Sequence, residues 1–129
     1  MSGASAGPAE LSQQASSAPG QDRATYAAAP SGVSVSLTTG LAGGFGADTL
    51  TSVERLTGSA FGDTLTGDAG ANVMNAGGGP DIVNGLAGND TLFGEDGNDS
   101  IDGGADFDTV DGGTGTDSCT NGEDVTNCP

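Results

Sequence analysis

Histidine and tryptophan are missing from this 129-residue chain, and only Arg23 and Arg55 carry positive charge. Against them stand 18 acidic residues and a formal net charge of -16. Nucleic-acid binding needs cations for the phosphates, and an anionic membrane surface would repel such a chain, so neither is expected as a partner. The charged partner implied is a cation. Aromatic residues are scarce too, 4 Phe and 1 Tyr, which argues against a thick globular core. No apolar run approaches the roughly 20 residues of a membrane span. The start, MSGASAGPAELSQQASS, lacks the basic stretch and apolar run of a secretory signal. That leaves another export route, or the end piece of a longer exported polypeptide. Glycine contributes 25 residues but not at every third position, which excludes collagen.

What the chain does have is a beat of nine residues from Gly58 to Cys119. It carries Asp63, Asn72, Asp81, Asp90, Asp99, Asp108 and Asp117, followed two positions later by Leu65, Met74, Val83, Leu92, Ile101, Val110 and Cys119. An acidic, aromatic-poor sequence is often a solvated disordered tail. Disorder gives no reason for acid and apolar side chains to keep one offset through seven cycles. A unit this short cannot bury its own apolar residue and must stack on its neighbours, which predicts a solenoid.

The geometry of the coil follows from the unit. Three residues span a short strand whose middle side chain points in, and the other six reverse the chain with the help of glycine. Two units make one circuit of 18 residues, so strands i and i+18 should pair in parallel about 4.8 Å apart. The expectation is an all-β solenoid with two short-stranded parallel sheets. Leu65, Val83, Ile101 and Cys119 would line one wall, and Met74, Leu92, Val110 and Cys128 the other. Asp63, Asp81, Asp99 and Asp117 would then form a column on one edge, with Asn72, Asp90 and Asp108 on the other. Stacked carboxylates repel unless a cation lies between them. Converging carboxylate and carbonyl oxygens suit Ca²⁺ better than Mg²⁺, which demands octahedral geometry and retains its waters. Adjacent pairs give three slots on the first edge and two on the second, about five Ca²⁺ ions, which would bring the charge from -16 to about -6. Folding and binding would be one event.

Residues 1–20 read as a flexible linker of Ala, Ser, Gly, Gln and Pro. Residues 21–57 hold degenerate repeats and capping strands. In this region Val33, Val35 and Leu37 alternate with Ser34 and Ser36 as a half-buried strand would. GGFGADTLT, Gly43 to Thr51, is a well-formed unit with Asp48 and Leu50 at the usual offset, but Glu54 and Leu56 follow after six residues instead of nine. Residues 58–120 form the regular coil and 121–129 a cap, NGEDVTNCP, with Thr126 where Asp is expected. Cys119 and Cys128 both fall at apolar positions of successive units, on opposite walls. A disulfide between them is expected and implies an oxidising, extracellular setting; two buried thiols are the alternative.

Units such as GLAGNDTLF and GEDGNDSID resemble the RTX nonapeptide GGxGxDxUx of bacterial exported toxins, proteases, lipases and adhesins. The resemblance implies a parallel β-roll in which sixth-position Asp residues and turn carbonyls bind Ca²⁺. Carried over, the metal ligands are Asp63, Asp81, Asp90, Asp99, Asp108 and Asp117, with Asn72 a looser match. It also implies a secreted, bacterial setting. The departures are Phe61 and Asp106 for the fourth-position Gly, Pro80 at the fifth position, and Asp68, Leu86 and Glu95 for the second Gly. Phe61 sets the first unit furthest apart, and Asp106 is read as a solvated charge, with an extra oxygen ligand as the alternative.

No catalytic constellation is visible: His is absent, Ser residues lack a base, and the carboxylates are accounted for as ligands. The chain is expected not to be an enzyme, although it could be the non-catalytic C-terminal part of a secreted hydrolase with a domain upstream. An adhesin, or a surface- or ice-binding module, is the other alternative. Thr64, Thr66, Thr91, Thr109 and Thr120 would form its hydroxyl face, interrupted by Ile82, Phe93, Asp102 and Asp111.

Overall fold

The computed structural model describes residues 23–26, 31–38, 41–43, 48–49 and 55–128. The expected linker, and the step at Leu50 to Glu54, lie outside them. The described strands are β1 (Arg23–Thr25), β2 (Ser34–Ser36), β3 (Leu41–Gly43), β4 (Asp48–Thr49), β5 (Arg55–Thr57), β6 (Thr64–Thr66), β7 (Val73–Asn75), β8 (Ile82–Asn84), β9 (Thr91–Phe93), β10 (Ser100–Asp102), β11 (Thr109–Asp111), β12 (Ser118–Thr120) and β13 (Asp124–Thr126). They form two sheets, one in the order β1-β5-β7-β9-β11-β13 and the other β12-β10-β8-β6-β2-β3-β4. The all-β parallel coil is therefore the fold.

Register follows the circuit. Leu65 lies opposite Val83, Val83 opposite Ile101, and Ile101 opposite Cys119 on one wall. Leu56, Met74, Leu92 and Val110 are matched in the same way on the other. The triplets are three residues long because only their middle side chain has an interior to enter. Leu56 through Val110 are at most 1 % exposed at these middle positions, and each contributes roughly 1.5–3 kcal/mol by burial. Val33, Val35 and Tyr26 extend the same core towards the N-terminus, with Leu37 packed against it. The half-buried strand expected at Val33 to Leu37 is thus present as β2.

Two segments depart from the expected coil. The unit at Gly43 to Thr51 does not make a circuit: β3 pairs antiparallel with β2, and β4 antiparallel with β3. A hairpin has been inserted into the coil. The interior hydrogen bond between Val33 and Asp63 accordingly spans 30 residues where the next, between Asp63 and Asp81, spans 18. The Asp-x-Leu signature is local and does not say which strand will lie beside it. Leu56 is back in phase, nine before Leu65.

The second departure is at the cap. Val125 of β13, not Cys128, lies opposite Val110. Cys128 therefore does not take the wall position expected for it. The last turn is shortened, and Glu123 reaches Asp108 across 15 residues instead of 18. Cys128 follows β13 and forms the disulfide with Cys119 of β12, Cα to Cα 6.0 Å, while both half-buried residues pack on the core. The bond still joins the end of one sheet to the end of the other.

Candidate metal centre

Each sixth-position residue sits immediately before a strand, at the point where a turn enters a sheet. Its side chain is buried: Asp63, Asn72, Asp81, Asp90, Asp99, Asp108 and Asp117 are all at most 5 % exposed. Ordinary proteins avoid burying so many carboxylates without cationic partners. Here one oxygen of each Asp is consumed by a ladder along the coil axis. Asp81 Oδ1 accepts the Asp63 backbone N–H at 2.7 Å, Asp99 that of Asp81 at 2.8 Å, and Asp117 that of Asp99 at 2.8 Å. On the other edge Asp90 accepts from Asn72 at 2.8 Å, and Asp108 from Asp90 at 2.9 Å. The two acid columns expected from the beat are present. Their members are linked through the backbone amides of the preceding circuit.

The second oxygen separates the residues. Oδ2 of Asp81, Asp90, Asp99, Asp108 and Asp117 is buried with no hydrogen-bond partner among the described residues. An ionised oxygen left this way costs several kcal/mol, more than about the 1–3 kcal/mol of a neutral orphan. Burial pushes the Asp81 carboxyl up to about 8, against the lowering effect of its Asp63 N–H bond and with repulsion from Asp63 and Asp99 adding to the rise. Asp90 is pushed to about 7 by burial, with repulsion from Asp108 and Asp68. Asp99 is pushed to about 6, again by burial first. The Asp108 carboxyl is also raised by burial, and by Glu123, Asp106 and Asp102 nearby. These are sites that want a cation or a proton.

The surroundings of the orphan oxygens fit a hard cation. A methyl group added to Gly85 would lie 2.6 Å from Asp90 Oδ2 and 2.6 Å from the Gly103 carbonyl oxygen. One added to Gly94 would lie 2.5 Å from Asp99 Oδ2 and 2.6 Å from Gly112 O. Glycine thus keeps open a notch where a side-chain oxygen and a carbonyl oxygen of the next circuit converge, as Gly58 and Gly67 also do beside Asp63 and Asn72; what sets the later turns apart is the unpartnered Oδ2. The unit of Asp81 carries Ala76 at this first position instead. Among the described residues no group of three acidic, Cys or His side chains is placed to hold a metal ion, and the oxygens that converge are carboxylate and backbone carbonyl, the all-oxygen chemistry that Ca²⁺ accepts.

The same five turns share a backbone conformation. Their second and fourth positions have positive φ: Gly77 and Gly79, Leu86 and Gly88, Glu95 and Gly97, Gly104 and Asp106, Gly113 and Gly115. Leu86, Glu95 and Asp106 hold φ of 71 to 73° without being glycine, so these three departures do not change the turn. Asp106 is exposed but not simply solvated, since its Oδ2 accepts the Gly88 N–H at 3.0 Å.

Asp63 and Asn72 differ. Asp63 Oδ2 accepts the Ser59 N–H at 2.7 Å, and its Oδ1 accepts the Ser59 hydroxyl at 2.6 Å and the Val33 N–H at 2.8 Å. Asn72 Oδ1 accepts the Asp68 N–H at 2.9 Å, while its buried Nδ2 has no partner among the described residues. Glu123 was not anticipated. Its Oε1 accepts the Asp108 N–H at 2.7 Å, the place a further sixth-position Asp would take. The signal was present, because Glu123 precedes Val125 by the usual two positions, six residues after Cys119 rather than nine.

A parallel coil whose turns stack buried carboxylates against backbone carbonyls is a β-roll built for cations. The family model of the RTX calcium-binding nonapeptide repeat matches residues 51–83, 76–110 and 84–119. These matches together span more than half of the chain, and the chain belongs to this family of non-catalytic calcium-binding repeat modules. No curated protein matches the chain.

Proposed function

We propose that the chain is an extracellular structural module that folds on binding about five Ca²⁺ ions, an estimate that assigns one ion to each orphaned carboxylate. The observation that carries the reading is the set of five buried Oδ2 atoms without partners, on Asp81, Asp90, Asp99, Asp108 and Asp117. In this reading those five Asp residues are the ligands, joined by turn carbonyls such as Gly103 O and Gly112 O. Asp63 and Asn72, in the same columns, position the start of the ladder. Bound calcium supplies the positive charge that the buried carboxylates lack. The side chains supply the rest: Oδ1 fixes each carboxylate to the preceding circuit, and Oδ2 is left for the ion.

Where calcium is scarce, as inside a cell, repulsion among 18 acidic residues would keep the chain expanded. Calcium outside the cell would then fold it, stiffening whatever polypeptide it is joined to. Calcium titration followed by circular dichroism tests this reading. Little strand signal in chelator at neutral pH and cooperative gain with calcium are expected; a chain fully folded in excess chelator would refute the coupling.

A further inference from the structure

We propose that residues 121–128, which do not carry the repeat, complete the last two cation sites at Asp108 and Asp117, and that the Cys119–Cys128 disulfide holds the second of these together. The proposal rests on the calcium reading above and adds ligands to it. Inside the coil, the orphan oxygens of Asp90 and Asp99 lie beside a carbonyl from the next circuit, Gly103 O and Gly112 O respectively. Residues 121–128, which come next, do not keep the nonapeptide pattern that would do this for Asp108 and Asp117.

The cap supplies both. In the notch at Gly103 an added methyl would lie 2.7 Å from Asp108 Oδ2 and 2.5 Å from Asn121 O. In the notch at Gly112 it would lie 2.6 Å from Asp117 Oδ2 and 2.5 Å from Asn127 O. Asp108 and Asp117 are 0 % and 5 % exposed, and both Oδ2 atoms lack a partner among the described residues. Two unrelated local sequences therefore rebuild the arrangement that the repeat makes elsewhere.

Both carbonyls are placed by deliberate chemistry. Asn121 and Asn127 have φ of 53° and 55°, a left-handed conformation that Asn tolerates better than most residues. Their side-chain amides donate to Asp102 Oδ1 and Asp111 Oδ1, each at 2.8 Å, which anchors them to the circuit before. The shortened turn is what brings Asn127 rather than a later residue into line, and the Gly112 N–H bonds Thr126 O at 3.0 Å beside it. Cys128 is the next residue, and its disulfide returns to Cys119, two residues after Asp117. The Asp117 carboxylate and the Asn127 carbonyl are thus joined by a short covalent path through the disulfide. Asn121 lies within the ring that the bond closes but has no such short path to Asp108, and Glu123 secures its turn by accepting the Asp108 N–H.

Titration calorimetry of the full chain with Ca²⁺ tests the assignment. Asp117→Asn is expected to remove one ion. The pair Cys119→Ser and Cys128→Ser should remove the same ion or weaken it at least about tenfold, and combining all three changes should cause no further loss, since they act on one site. Asn127→Val keeps the disulfide but disfavours positive φ and should also lose that ion, whereas Asn127→Gly keeps the carbonyl in place and should retain it. Wild-type stoichiometry and affinity in both the serine pair and Asn127→Val would overturn the proposal, as would loss of every ion in both. Failure of the calcium reading itself would look different: no calcium bound by the unaltered chain, or none lost in Asp117→Asn.

Discussion

The turns ahead of β6 and β7 place Asp63 and Asn72 in the same two columns as the Asp residues of the five turns that follow, yet the oxygens of these side chains are met differently. In the first turn Ser59 donates both its N–H and its hydroxyl to Asp63. In the second the Asp68 N–H closes on Asn72, and Asp68 itself accepts the Gly70 N–H at 2.9 Å. From Ala76 onwards the second position turns over to positive φ, and the carboxylate is left with one oxygen unmet. A turn can satisfy its own acid or leave it for an ion, and second-position backbone direction distinguishes the two. On the proposed reading, the early turns form a start for the coil that needs no calcium, against which calcium-dependent circuits can stack.

Calcium removal should separate the regions most clearly. In chelator at neutral pH, hydrogen exchange of the amides from β8 to β12 is expected to approach that of an unfolded chain, a loss of several kcal/mol of local stability. The amides of β2, β5 and β6 should retain measurable protection. Uniform loss along the chain would show that the first turns depend on calcium as much as the rest.

Acid should partly replace calcium at Asp81, Asp90 and Asp99. Asp81, Asp90 and Asp99 are raised to about 8, 7 and 6 from 3.8, so the folded coil binds protons more tightly than the unfolded chain. Their stability contribution is complete below pH 3.8 and is lost as pH rises through 6 to 8. Lowering the pH of a chelated sample from 8 to 5 is accordingly expected to restore strand signal by circular dichroism. A signal that falls with acid over that window would contradict the burial of unneutralised carboxylates.

Much of this contrast was legible in the sequence, and the illegible parts share a cause. The beat specified the parallel circuits, the walls and the two acid columns, because period and offset are set by strand geometry that every unit must obey. Phe61 at a glycine position marked the first turn as different, although not that Ser59 would close it. The hairpin of β3 and β4 was hidden because GGFGADTLT satisfies the same local rule as a true circuit. The cap was hidden for the converse reason. Its strand keeps the acid-to-apolar offset at Glu123 and Val125 but arrives three residues early, so counting by nine passes over it. Pairing partners, not local propensity, decide both cases.

Equivalent substitutions on either side of the boundary should give different kinds of loss. Asp99→Asn is expected to remove one ion from the calorimetric stoichiometry, and about 2.7 kcal/mol of stability when calcium stands at 100 times its dissociation constant. Asp63→Asn should leave the stoichiometry unchanged. Its new amide would face the Ser59 donors instead of accepting from them, at a cost of about 1–3 kcal/mol in denaturant unfolding. An ion lost from Asp63→Asn would move the boundary to the start of the regular beat.

The smallest effect belongs to Ser59, and it is the most selective. Its hydroxyl stands between the Asp63 carboxylate, to which it donates at 2.6 Å, and the Phe61 N–H, from which it accepts at 3.0 Å. Ser59→Ala removes both contacts but keeps the backbone donor to Asp63 Oδ2, so the carboxylate is weakened in its partners without being abandoned. A loss of about 1 kcal/mol is expected in saturating calcium, measured from the denaturant midpoint at constant slope. The calcium stoichiometry should stay as it was. If the alanine variant instead took up one more ion, the hydroxyl would be acting as a plug in a latent calcium site within the first turn.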